Sequence, residues 1–265
     1  MMTSSRLYRI GQIVPSSNTT METEIPAMLL RRQALGAERY TFHSSRMRMH
    51  KVTAEELKRM NGEGVRCAAE LADARVDVMS TACLVAIMAM GPGYHRQAQA
   101  ELEAAARAND CAAAVMTSAG ALIEGLKTMG AKRISLLAPY SDELTRLVVQ
   151  YIEAEEIEVA DSRNFCVTDN LAVGRIDPLG LVEEAGKLSR ANVDAVVVSV
   201  CVQMPSLPAL PLVEAKLGLP VTSTAACTVR RMLDLLGLEA RVPEAGALLS
   251  GKYPALTGRE AALAQ

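Results

Sequence analysis

Two cysteines occupy matched settings. "STACLVAIM" at residues 80–88 ends a strand-like run with Cys83 and then turns apolar, and "VVVSVCVQMP" at 196–205 does the same with Cys201. A thiol between a strand end and a helix start lies near free helix N–H groups, which stabilise a thiolate and bind anions. Leu84, Val85 and Val202 follow the two thiols with apolar side chains, so backbone N–H groups dominate the local polarity. A dry pocket of this kind suits a negatively charged substrate approached by sulfur. Neither thiol has an adjacent His or Asp, which disfavours a protease-like Cys–His pair.

Three more strand ends carry small polar groups. They are Ser16, Ser17 and Asn18 in "VPSSNTT", Tyr140, Ser141 and Asp142 in "APYSDEL", and Thr168, Asp169 and Asn170 in "FCVTDNL". Helix N-capping accounts well for Ser17, Asn18, Ser141 and Asp142; for Asn18, ligand contact accounts equally well. A cap needs no phenol, so Tyr140 is a candidate donor to a carboxylate. The run "HSSRMRMHK" at 43–51 concentrates Arg46, Arg48 and Lys51; it reads as a solvated loop, or as a cover whose field attracts a dianion.

Composition narrows the chemistry further. The six cysteines form no CxxC pair, and the three histidines have no zinc spacing, so no metal is expected. "GPGYHRQ" is a turn rather than a dinucleotide fingerprint, and no Walker motif occurs, so no cofactor is expected. A net charge of −2 spread along the chain disfavours nucleic acid and anionic membranes as partners. The longest nearly apolar stretch, Val78–Met90, is too short to span a bilayer. With no apolar leader, a cytoplasmic location without disulfides is the expectation. Each cysteine taken alone reads as a small buried hydrophobe.

The elements that must position these groups alternate. Short β-branched runs give strands at Leu7–Val14, Glu38–His43, Val76–Thr81, Ala112–Met116, Arg133–Ala138, Ile157–Ala160, Val193–Val200 and Leu219–Val221. Helical periodicity covers 19–35, 54–72, 96–108, 119–129, 142–153, 179–190, 207–217 and 225–236. Such alternation predicts an α/β fold with parallel sheets covered by helices. The halves also match each other: "RIGQIVPSSN" with "RISLLAPYSD", "VDVMSTAC" with "VDAVVVSVC", and "VMTSAGALIEGLKTMG" with "VTSTAACTVRRMLDLLG". A four-strand unit used twice follows, giving two pseudo-symmetric lobes with the active site in the cleft between them. The division is residues 1–112 with 222–265 against 113–221, with exchange of the last strands left open and a tail after about 240.

With "IGQIVPSSNTTMETE" added to the two cysteine motifs, the chain over residues 7–238 resembles the maleate cis-trans isomerases. These belong to the aspartate/glutamate racemase superfamily, beside arylmalonate decarboxylases and hydantoin racemases. Decarboxylases keep one of the two thiols; racemases follow the first with a hydroxyl pair, where this chain has Leu84 and Val85. The resemblance implies cofactor-free isomerisation of maleate to fumarate by a homodimer. It implies Cys83 as nucleophile, through a covalent succinyl-cysteine, and Cys201 as the thiol that moves a proton. It further implies Asn18, Tyr140 and Asn170 as holders of the two carboxylates, with N–H donors at Val85 and Val202. Two other readings stand beside it: a racemase or decarboxylase using the same thiols, and a dicarboxylate-binding sensor with inert ones. Slow alkylation by iodoacetamide is the expected mark of the sensor.

Overall fold

The computed structural model of the chain describes residues 6–254. Its first four strands are β1 (Leu7–Pro15), β2 (Arg39–Met47), β3 (Val78–Thr81) and β4 (Ala114–Thr117), paired in parallel in the order β2-β1-β3-β4. The next four are β5 (Arg133–Ala138), β6 (Glu158–Asn164), β7 (Ala195–Val197) and β8 (Val221–Thr222), in the order β6-β5-β7-β8. The two orders are the same permutation, so the duplication read from sequence is a duplication of topology. Strand exchange does not occur: β4 pairs with β3 and β8 with β7. A boundary at residue 112 would cut β4 from its own sheet, and the first sheet therefore extends past it.

The central strands β1 and β5 are almost wholly buried because helices cover both faces of each sheet. In the first half these are α1 (Met21–Arg32), α2 (Ala54–Asn61), α3 (Gly64–Asp73), α4 (Leu84–Met88), α5 (Tyr94–Ala108) and α6 (Ser118–Thr128). In the second they are α7 (Asp142–Glu153), α8 (Asn170–Val173), α9 (Gly180–Ala185), α10 (Ala209–Leu217) and α11 (Thr224–Leu235).

Differences from the sequence reading have local causes. The single helix expected over 54–72 is two, because the chain breaks at Gly62–Glu63 and Asn61 turns its amide onto the Ala86 carbonyl, 2.8 Å away. β2 and β6 run on to 47 and 164 through polar residues, which an edge strand tolerates on its open side. β7 stops at Val197, short of 200: the Ser199 hydroxyl engages the carbonyls of Cys201 (2.7 Å) and Met204 (3.2 Å) and folds the chain into a turn. The expected tail is packed structure. Leu248 and Leu249 are buried, and the Arg230 guanidinium binds the carbonyls of Leu248, Tyr253 and Pro254.

The halves are joined by close contacts. Helices α6 and α11 meet at Gly125, where a methyl group would lie 2.6 Å from the Cys227 sulfur. On the opposite flank, His95 of α5 hydrogen-bonds Tyr151 of α7. Beside them Arg96 makes a bidentate pair with Glu155 (2.7 and 2.8 Å), which Lys127 also reaches at 3.0 Å.

Candidate active site

The polar candidates all follow the carboxyl ends of parallel strands: Ser17 and Asn18 after β1, Cys83 after β3, Tyr140 after β5, Asn170 after β6 and Cys201 after β7. In an open parallel sheet that edge is where strand-to-helix turns leave N–H groups unpaired. Both halves contribute.

Cys83 is the extended N-cap residue of α4. A side chain there faces the N–H groups two and three positions on; those of Val85 and Ala86 lower the Cys83 pKa, although the sulfur makes no cap hydrogen bond. Cys83 is 8 % exposed and Cys201 6 %, so each keeps only a narrow route to water. Burial pushes the Cys83 thiol up to about 12, and the neighbouring Cys201 sulfur adds to the rise against the two N–H donors. Burial likewise raises Cys201, opposed by the Tyr140 hydroxyl and by the N–H groups of Gln203 and Met204. Tyr140, 1 % exposed, is raised well above the usual phenol range by burial and by both sulfurs. Cys201 thus lies close enough to Cys83, and both sulfurs to Tyr140, for charge on one to be felt by the next. All three are shifted toward their protonated forms.

The Tyr140 hydroxyl donates to the Val200 carbonyl at 3.1 Å, beside Cys201. Asn18 is a helix cap: its Oδ1 accepts from Thr20 N–H (3.0 Å) and Met21 N–H (2.9 Å), which leaves the amide NH2 as its remaining polar end. Asn170 donates through Nδ2 to the Ser17 hydroxyl at 2.9 Å, joining a first-half loop to a second-half loop. Leu84, Val85 and Val202 are buried around the thiols. The N–H groups facing Cys201 are those of Gln203 and Met204 rather than Val202.

The basic run 43–51 is only partly a loop, since 43–47 belongs to β2. Arg46 pairs with Glu22 and donates to the Ser16 carbonyl at 2.8 Å, so its charge is matched. Past the strand, Glu56 accepts from the N–H groups of His50 (2.7 Å) and Lys51 (3.0 Å). Val52 N–H then reaches the Thr168 carbonyl at 3.3 Å, next to Asn170. The segment lies across both halves.

Sequence reasoning missed Gln203. Buried to 1 % exposure, its side chain contacts the loops 17–20 and 170 from opposite halves. The available signal was an amide inside the apolar run "CVQMP", where neither capping nor strand alternation explains it. Among the described residues no three His, Cys, Asp or Glu side chains cluster to hold a metal, and no helix is long and apolar enough to cross a membrane.

Comparison with known proteins places this geometry. The arylmalonate decarboxylase family profile matches residues 10–249. A maleate isomerase from Pseudomonas putida is 59% identical over 249 residues, covering 94% of this chain and 100% of that protein. A crystal structure of a cysteine-to-alanine maleate isomerase from Pseudomonas putida S16 with maleate superposes with a TM-score of 0.93 at 54% identity, covering 94% of this chain and 99% of that one. A Nocardia farcinica maleate cis-trans isomerase, a cysteine-to-serine mutant with a covalently bound succinylcysteine intermediate, superposes at 0.89 with 43% identity, covering 92% and 98%.

Proposed function

The chain belongs to the arylmalonate decarboxylase family, among its maleate isomerases, and from that premise we propose that it converts maleate to fumarate by reversible addition of the Cys83 sulfur to the carbon–carbon double bond. The observation that carries this reading is a pair of nearly dry thiols after the equivalent strands β3 and β7 of the two halves, with Cys201 close enough to raise the Cys83 pKa.

Rotation about a double bond is blocked until the bond is made single. The cycle runs from the minor, deprotonated form of Cys83, whose proton has passed to solvent: its sulfur forms a bond to one olefinic carbon, and the π pair moves to the neighbouring carbon and its carboxylate. The Cys201 thiol delivers its proton to that neighbouring carbon, giving a succinyl-cysteine. After rotation, the Cys201 thiolate recovers a proton from the same carbon. The electron pair re-forms the double bond, the bond to sulfur breaks, and fumarate leaves with Cys83 again a thiolate. Electrons and protons balance with no redox partner.

The difficult step is placing more negative charge on an already anionic acceptor. Neutral donors fixed beforehand around the developing enediolate oppose it, each worth about 2–4 kcal/mol in a dry site. The Asn18 amide, the Asn170 amide, the Tyr140 hydroxyl and the N–H groups at Val85 and Val202 are assigned that task, with Ser17 supporting Asn170. Arg46 is already matched by Glu22 and is not counted among the groups that hold the dianion. The reading includes a homodimer and a cytoplasmic location; six free cysteines fit a reducing compartment.

The test is proton NMR of maleate incubated with reduced protein and EDTA. Fumarate is expected to accumulate, Cys83→Ala to abolish it, and Cys201→Ser to trap a succinyl adduct on Cys83 visible by mass. Full activity in Cys83→Ala, or no fumarate from folded reduced protein, overturns the reading.

A further inference from the structure

Gln203 uses its whole side-chain amide. Oε1 accepts from Thr19 N–H at 2.9 Å and Thr20 N–H at 3.1 Å, while Nε2 donates to the carbonyls of Ser17 at 3.2 Å and Asn170 at 2.8 Å. Those contacts fill the two acceptor and two donor positions of a carboxamide. Its backbone N–H also lies 3.4 Å from the Cys201 sulfur. One residue therefore ties the second thiol, the β1 loop of the first half and the α8 start of the second half into one frame.

The frame bears on Asn18 and Asn170. Thr20 N–H is shared between Gln203 Oε1 and Asn18 Oδ1, so the two amide carbonyls sit side by side at the start of α1. Asn170 is held by its carbonyl to Gln203 and by its side chain to Ser17. Gly174 closes behind Gln203: a methyl group there would stand 2.6 Å from Nε2 and 3.0 Å from Thr19 Oγ1.

We infer that Gln203 is the positioning residue that sets the spacing between the two carboxylate-holding asparagines, acting through the loops rather than touching the substrate. This rests on the isomerase reading of the site. Because Gln203 leaves the thiols' own chemistry intact, its loss weakens substrate binding more than turnover. A purely structural strut behaves oppositely, reducing folded protein while leaving the affinity of what remains unchanged.

The experiment measures maleate affinity by calorimetry in a Cys83→Ser background, turnover in the native background, and thermal stability in both. Gln203→Met, similar in size but without donors, is expected to raise Kd and KM about tenfold or more, with kcat falling less than about threefold. Gln203→Glu keeps the acceptor but faces two carbonyls with a carboxylate; its KM penalty is expected to shrink as pH falls and the buried acid regains a donor proton. Gly174→Ala is expected to raise KM a few-fold alone, and to add much less on top of Gln203→Ala, where the clash with Nε2 is gone. Unchanged Kd and KM with a lowered Tm overturn the inference. If the protein binds maleate without converting it, the isomerase reading falls while the Kd comparison still decides the role of Gln203; if it neither binds nor converts, both fall.

Discussion

Alkylation of the reduced protein by iodoacetamide at controlled pH tests the resting state of the nucleophile. The folded Cys83 thiol is pushed from 9.0 to about 12, by burial first and by Cys201 second. Three pH units cut the thiolate share at pH 8 by about a thousandfold relative to an unshifted thiol. A more basic thiolate is intrinsically more nucleophilic, and with a Brønsted slope near 0.45 that returns about twentyfold. The net expectation is a rate about fiftyfold below that of an unshifted thiol, and lower still for a residue 8 % exposed. Peptide mapping after timed quenching reads each cysteine separately, with the exposed Cys166 as internal reference. The Cys83 rate should climb about tenfold per pH unit from 7 to 10, because that whole window lies below its raised pKa. A plateau near pH 8, or a rate matching Cys166, would show that the free enzyme already holds a thiolate, and the argument from burial would be refuted. One sequence expectation changes with this result. Slow alkylation was to mark an inert sensor, but a catalytic thiol shielded this way is slow as well, so turnover and adduct mass must separate the two.

Tyr140→Phe removes the hydroxyl that opposes the burial-driven rise of Cys201; kcat is expected to fall about 10–100-fold with the melting temperature little changed, and a variant at full activity removes Tyr140 from the mechanism. Gly125→Ala puts a methyl group 2.6 Å from the Cys227 sulfur and 3.0 Å from Leu248; the rigid α6–α11 contact should lose about 1–3 kcal/mol by denaturant titration. Burial alone would raise Glu155, but hydrogen bonds from Arg96 and Lys127 outweigh it and hold the carboxyl at about 2, down from 4.5. Its contribution, about 1–3 kcal/mol, is present above pH 4.5 and lost as pH falls toward 2. Glu155→Gln should therefore be less stable at pH 7 and flatten the acid limb of the stability curve; an unchanged limb counts against the pairing.

Much of this molecule is written in local sequence. Strand–helix alternation fixed the α/β class because the apolar periods of the two element types differ, and β5 and α7 ended where their residues said. The repeated segments foretold two sheets of the same order, and Cys83 and Cys201 were recognisable because each ends an apolar run with a thiol. Local pattern failed where a distant partner decided the outcome. β2 and β6 outran their apolar cores because they are edges, the helix over 54–72 broke where Asn61 found Ala86, and the segment after 240 packed because Arg230 awaited its carbonyls.

The thiols' identities and strand-end positions were thus set by sequence alone, and so was the pairing of halves. Only tertiary structure decided that both thiols are shifted upward, since that follows from burial and, for Cys83, from the Cys201 sulfur. The same holds for Gln203, whose bonds join residues more than 180 positions away in the first half. Periodicity reports the environment of a residue's near neighbours; desolvation and long-range hydrogen bonds are properties of chain segments brought together by folding.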